Sequence, residues 1–112
     1  MVIDSILTSI KQLLGVAEED TNFDMEIIIY INGELMVLNQ LGVGVQGYVV
    51  IDASNTWSEF LGGRTDLELI KTNVYLKVRL VFDPPQNSFL VEAIKNKIVE
   101  SDWRIEFNHI PE

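Results

Sequence analysis

The sequence predicts a mainly α fold: a small bundle of four to five helices, with an extended loop after the second helix and an extended C-terminal arm. Three observations support this prediction. Apolar residues near the N-terminus recur at spacings of three and four, which is the period of one helix face. A double proline at 84–85 separates two helix-compatible runs. The last residues change to a period of two, which is typical of a strand.

The first helix is predicted by an apolar stripe that ends at a glycine. The stripe consists of Ile3, Ile6, Leu7, Ile10, Leu13 and Leu14. Asp4 or Ser5 can cap its start, and Gly15 stands where a left-handed C-terminal cap is expected. The acidic connector that follows, residues 16–22, lacks the ligand alternation and glycine turn of a calcium loop, so it predicts a solvated loop.

Residues 23–41 are compatible with two structures. Two apolar runs flank Asn32-Gly33, a pair that favours the type I′ turn of a β-hairpin. A helix instead places most of the large apolar residues on one face, with Asp24 near its start and Gly42 as its stop. Neither candidate strand alternates between apolar and polar residues, which favours the helix. Such a helix is apolar almost all round, so it would be buried centrally or in an oligomer interface.

An extended loop is predicted after this segment because glycines interrupt the pattern at residues 42–47. Residues 48–51, Tyr-Val-Val-Ile, form either a short strand or an extended loop pinned by its apolar side chains. Ser54 or Asn55 can then cap a short helix over residues 56–61, which a pair of glycines ends.

The second half of the chain is organised around the double proline at 84–85. Thr65 or Asp66 begins a long helix that is apolar on more than one side, as a central element would be. Because proline has no amide hydrogen and disfavours helix in the residue before it, this helix must stop there. A further helix starts near Asn87 and runs to Trp103, and the two are expected to pack together. The aromatic residues at helical spacings are predicted to be core: Trp57, Phe60, Tyr75, Phe82, Phe89 and Trp103.

The last residues, 104–112, predict an extended arm that follows a helical domain of residues 1–103. Ile105 and Phe107 alternate with polar neighbours, which is the period of a strand. Because no partner strand lies nearby in the sequence, the arm would add to the sheet edge of another protein or fold back on residues 48–51.

Composition favours a binding or structural role over catalysis. The chain has 112 residues, enough for one domain, and its longest apolar run, residues 27–31, is too short to cross a bilayer. No basic segment precedes the first apolar residues, so a signal peptide is not predicted. Seventeen acidic and eight basic residues give a net charge of −9, which disfavours wrapping nucleic acid. There is no cysteine, a single histidine (His109), and no phosphate-binding or dinucleotide motif, so neither enzymatic activity nor a metal or cofactor is predicted.

Several stretches together resemble the phage head–tail connector (adaptor) proteins, which lie beneath the portal of long-tailed phages and related prophage particles. The stretches are residues 6–15 (ILTSIKQLLG), 38–44 (LNQLGVG), 56–61 (TWSEFL), 74–85 (VYLKVRLVFDPP) and the Trp103-Arg104 ending. The most specific of them is the run from Tyr75 that ends in Asp-Pro-Pro. These motifs are structural, and the similarity runs over nearly the whole chain.

The resemblance implies an all-helical fold in which residues 23–41 are one long helix. Asn32-Gly33 departs from this expectation, because glycine in a helix interior costs about 1 kcal/mol relative to alanine, and a kink at Gly33 is one consequence to look for. The resemblance also implies a homo-oligomeric ring, commonly of twelve copies, in the virion neck. This ring would bind the portal protein above and a stopper or tail-completion protein below, with no enzymatic activity and no cofactor. It would assemble in the cytoplasm of the bacterial host.

Two hypotheses give roles to the acidity and to the arm. An acidic lumen would repel phosphates and let DNA pass through the ring without specific binding. The arm would bind the portal or a neighbouring subunit, with Ile105 and Phe107 as anchors. Its predicted protein-binding residues are Trp103, Arg104, Ile105, Glu106, Phe107, Asn108 and Ile110. The alternative remains that this tail packs on its own domain.

A second class of function is also compatible with the composition. A small, acidic, cofactor-free chain can be a DNA-mimic or inhibitor protein that binds a host nucleic-acid enzyme. Molecular mass separates the two classes, because a mimic stays a monomer or dimer whereas a connector forms rings, at least with its portal.

Overall fold

The structure of the chain is a computed structural model that describes residues 4–109, with side chains through Phe107. The described residues form five helices and no strand, which confirms the mainly α prediction. The helices are α1 (Ile6–Leu14), α2 (Asp24–Gln40), α3 (Trp57–Leu61), α4 (Leu67–Phe82) and α5 (Ser88–His109). In this arrangement α4 is central, because it contacts α1, α2 and α5.

Helix α1 has the predicted caps. The side chain of Ser5 accepts a hydrogen bond from the Thr8 amide at 3.2 Å, and Gly15 ends the helix in the left-handed conformation with φ 82°. Ile6 and Ile10 are completely buried, whereas Leu13 is exposed, so the buried stripe is narrower than the apolar stripe in the sequence.

The acidic connector is solvated at its side chains but tied down through its backbone. Lys11 is buried, and its Nζ donates to the carbonyl oxygens of Glu18 at 3.0 Å and Asp20 at 2.8 Å. The same nitrogen lies 2.8 Å from Oδ1 of Asp24 at the start of α2. One lysine therefore fixes both the connector and the helix that follows it.

Residues 24–40 form one helix, and the structure shows what Asn32-Gly33 does there. The Asn32 side chain donates to the Val50 carbonyl at 3.0 Å and accepts from the Val50 amide at 2.8 Å. Both backbone groups of Val50 are thus satisfied by a side chain, as a neighbouring strand would do. Residues 48–51 form a loop and not a strand, and Asn32 holds this loop against α2. A Cβ at Gly33 would meet no atom within 4 Å, so no close approach requires the glycine.

The loop and α3 are held by local polar contacts. The cap of α3 is Thr56, whose side chain bonds the Glu59 amide while Glu59 bonds the Thr56 amide, a complete capping box. The prediction that Ser54 or Asn55 caps this helix is therefore wrong. Asn55 instead accepts from the Ile51 amide at 2.7 Å and stabilises the preceding turn.

The double proline forms the predicted corner. Helix α4 ends at Phe82, and Asn87 accepts a hydrogen bond from the Phe89 amide at 2.8 Å near the start of α5. The two helices pack together through a polar contact. Asn73 is buried in α4, and its side-chain nitrogen lies 2.7 Å from the Ser101 hydroxyl and 2.9 Å from Asp102 Oδ1.

Two predictions about the C-terminal region are corrected. Residues 104–109 are not extended, because α5 continues through His109. In a helix, neighbours two positions apart point to nearly opposite sides, and this explains the alternation: Ile105 is buried while Phe107 is exposed. Ile110 lies outside the described residues, and the division of the chain after Trp103 stays a prediction.

The second correction concerns the aromatic core. Trp57 and Phe60 are completely buried, as predicted, but Phe89 and Trp103 are exposed. The reason is that α5 packs mainly on α4, so only a narrow strip of α5 that includes Ser101 and Ile105 is buried.

Candidate functional site

The C-terminal half of α5 carries an exposed apolar surface, which we name the α5 aromatic surface: Val99, Trp103 and Phe107. Their spacing of four places them on one helix face. Trp103 is 63% exposed and Phe107 60% exposed. Their rings stack on each other with centroids 5.2 Å apart and planes 24° apart. Two exposed, mutually stacked aromatic rings form a preorganised apolar surface of the kind that protein interfaces use.

The other predicted binding residues differ in their exposure. Arg104 is exposed and forms an ion pair with Glu100 at 2.8 Å, and Glu106 is exposed. Ile105 is completely buried in its own domain, so it holds α5 in place and is not available as an anchor in this conformation. The Asn108 side chain and Ile110 lie outside the described part of the chain.

The contacts on the opposite side of α5 position this surface. Asn73 holds Ser101 and Asp102, as described above, and Lys77 lies between α5 and α2. Its Nζ is 2.9 Å from Oδ1 of Asp102 and 3.8 Å from Oε1 of Glu34. Burial raises the pKa of the Glu34 carboxyl above its ordinary value, and Lys77 acts in the opposite direction. A partly buried polar cluster therefore fixes the orientation of α5.

A second exposed apolar surface lies on α2, and we name it the α2 outer face: Met25, Ile29 and Met36. Met25 is 77% exposed, and the other two are also largely exposed. The opposite side of α2 is completely buried at Ile27, Ile31, Leu35 and Leu38. The sequence showed an apolar helix but not which side stays open, because both sides are equally apolar.

Potential metal ligands and grooves give little indication of a site among the residues that the structure describes. No group of three or more potential metal ligands comes together among residues 4–107, whose side chains are described. The groove of about 330 Å³ at the end of α1 is lined by Thr8, Gln12 and residues 15–18, a mixed set without a cluster of catalytic groups. Among the described helices, none is long and apolar enough to span a bilayer. Exposed apolar features among the described residues include the α5 aromatic surface and the α2 outer face.

Comparison with known proteins agrees with this description. The family model described as phage connector protein matches residues 6–110, which is nearly the whole chain. No curated protein and no solved structure matches the chain.

Proposed function

The chain belongs to the phage connector protein family, a family of structural proteins, and on that premise we propose that it is a head–tail connector (adaptor). In this proposal it assembles in the host cytoplasm into a homo-oligomeric ring in the virion neck. The ring lies between the portal protein and the stopper or tail-completion protein. DNA passes through its lumen without specific binding.

The observation that carries the proposal is the stacked, exposed Trp103–Phe107 pair at the end of the last helix. Large aromatic side chains lose little conformational entropy on binding and dominate the energy of protein interfaces. Exposed aromatic rings lower the solubility of a protein, so two of them side by side on the surface favour a bound partner.

The helical conformation of residues 104–109 changes how the arm would bind. An extended arm would add a strand to a sheet edge, whereas a helix binds by placing one apolar face in a groove. Residues Val99, Trp103 and Phe107 have the spacing that such a groove accepts. We assign this face to the portal, with Arg104 and Glu106 at its polar rim.

The acidity supports a passive channel. A ring multiplies the charge of −9 by its copy number, and carboxylates that line a lumen repel the phosphates of DNA. An assembled ring is expected to show no binding to duplex DNA even at low salt, where phosphate contacts are strongest. Tight binding under those conditions would contradict this part of the proposal.

The decisive measurement is the mass and shape of the protein with and without its portal. Native mass spectrometry and electron microscopy should show rings, at least when portal is present. A chain that remains monomeric or dimeric with portal would contradict the connector function and favour the DNA-mimic class.

A matched pair of variants tests the binding face. Replacing Trp103 and Phe107 by alanine should weaken portal binding by about 2 kcal/mol or more, which is roughly thirtyfold in Kd. Phe89→Ala is the control, because Phe89 is an exposed aromatic residue of the same helix that lies outside the α5 aromatic surface. Equal affinities of the two variants would show that the portal binds elsewhere.

A further inference from the structure

Two of the eight basic side chains have no ion-pair partner among the described residues. Six of the eight form ion pairs with carboxylates of the same chain: Lys11, Arg64, Lys71, Lys77, Lys95 and Arg104. Arg79 and Lys97 form none within the described part of the chain, and Arg79 donates only to the Tyr75 hydroxyl at 3.2 Å. Because acidic residues outnumber basic ones by 17 to 8, two cations without a carboxylate partner call for an explanation.

Arg79 and Lys97 line the same groove. It lies between α4 and α5 next to the proline corner, and we name it the α4–α5 groove. Its lining residues are Arg79, Pro85, Leu90, Ala93, Ile94 and Lys97. The groove has a volume of about 160 Å³, below the roughly 300 Å³ at which small-molecule sites begin. An apolar floor with two cations suits side chains of a protein segment that is both apolar and acidic.

The start of the α2 outer face has this chemistry. Met25 and Ile29 are exposed and one turn apart, so they project from the same side of the helix. Glu26 lies beside them, is exposed, and forms no ion pair with another described residue. Helix α2 contains no basic residue. Two apolar side chains and a carboxylate therefore match an apolar floor and two cations.

We infer that the α4–α5 groove of one copy receives the start of the α2 outer face of the next copy. The inference rests on the proposed ring and names the contact that builds it. In a ring each copy offers its groove to one neighbour and its α2 outer face to the other, so the contact is head to tail. Such contacts form a ring when the rotation between copies closes, and every copy then uses both of its surfaces. Glu26 supplies the carboxylate that Arg79 and Lys97 lack in a single copy.

The absence of cysteine from the sequence allows a direct test of this contact. Met25→Cys and Ala93→Cys place one thiol on each surface and leave Glu26, Arg79 and Lys97 unchanged. Under oxidising conditions in the presence of portal, a mixture of the two variants should form disulfide-linked dimers. Neither variant alone should do so, because a head-to-tail contact does not bring identical positions together. The double variant should form a ladder of linked multimers.

Control positions make the outcomes distinct. Ser58→Cys, exposed on α3, replaces Ala93→Cys in a mixture that should stay unlinked. Rings that form without the Met25–Ala93 link would overturn the inference and leave the connector function standing. Linking of Ala93→Cys to Glu106→Cys in its place would show that the groove receives the end of α5, which also overturns it. If no ring forms with or without portal, the proposed function and the inference both fail.

Charge exchange provides an independent test. Lys97→Glu and Glu26→Lys should each lower the ring fraction at least about tenfold at low salt, because contacts between copies of one variant then bring like charges together. Mixing the two variants should restore rings in which they alternate, because every contact then joins opposite charges. The double variant Glu26→Lys with Lys97→Glu should recover rings, since every contact then regains one opposite pair. Lys95→Glu is the matched control on α5, because Lys95 already pairs with Glu92. A double variant that assembles no better than the single variants would contradict the assigned contact.

Discussion

Helices α2 and α5 flank the same central helix, yet they are attached to it in opposite ways. Helix α2 buries four aliphatic side chains completely, and its other side is also apolar. Helix α5 is longer but buries little beyond Ser101 and Ile105, and its contact with α4 includes the buried polar group of Asn73. The comparison indicates that α2 contributes more to the stability of the core than α5 does, whereas α5 mainly presents surface.

The largest predicted difference between α2 and α5 is the unfolding free energy that is lost when an aliphatic residue is replaced by alanine. Leu35→Ala in α2 should cost about 2–5 kcal/mol of unfolding free energy, because it leaves a cavity in the core. Leu90→Ala in α5 removes the same atoms from a half-exposed position and should cost less than about 1 kcal/mol. Urea unfolding measures both. Similar losses would mean that α5 belongs to the core as fully as α2 does.

The polar attachment of α5 is tested at Asn73. Asn73→Ala removes two hydrogen bonds, to Ser101 and Asp102, and should cost about 1–3 kcal/mol. Faster amide hydrogen exchange should follow in α5 and not in α2, because the lost contacts join α4 to α5. Thr72→Ala, at the exposed neighbouring position, should leave exchange unchanged. Uniform acceleration in both helices would contradict a separate role for α5.

One substitution inside α2 is expected to stabilise the protein. Gly33 lies in the helix interior with open space where a Cβ would stand, so Gly33→Ala should raise the unfolding free energy by about 1 kcal/mol. Asn32→Ala is the contrasting neighbour, since it leaves both backbone groups of Val50 without their partner and should destabilise. Destabilisation by Gly33→Ala would reveal a need for the glycine, such as a bend in α2.

The smallest effect concerns the point where α2 and α5 share one lysine. Burial raises the pKa of Glu34, so the folded state binds a proton more readily than the unfolded state. This group therefore opposes folding at neutral pH, and the opposition fades as the pH falls through its folded pKa toward its ordinary value of 4.5. Glu34→Gln should flatten the dependence of Tm on pH from neutral pH down to the ordinary carboxyl pKa of 4.5. An unchanged pH profile would show that Lys77 cancels the effect of burial.

Several elements follow from local chemistry and were predictable from the sequence. Helix α1 has an apolar period, a serine cap and a terminal glycine within ten residues, and α4 ends where two prolines require it. Acidic composition and the lack of cysteine likewise indicated a binding or structural role. The resemblance to connector proteins rested on these same local motifs, and the family match over residues 6–110 confirms it.

What only the tertiary structure decided involves contacts between distant residues. Asn32-Gly33 favours a hairpin turn locally, but Asn32 instead satisfies Val50, 18 residues away. The alternation at the chain end resembles a strand, but Ile105 enters the core and Phe107 stays outside. The sequence by itself determined the caps of α1 and the end of α4, because caps, periods and prolines act within a few residues. Which face of a helix stays exposed depends on the helices that pack against it. For α5, only its packing against α4 showed which residues are buried and which are exposed.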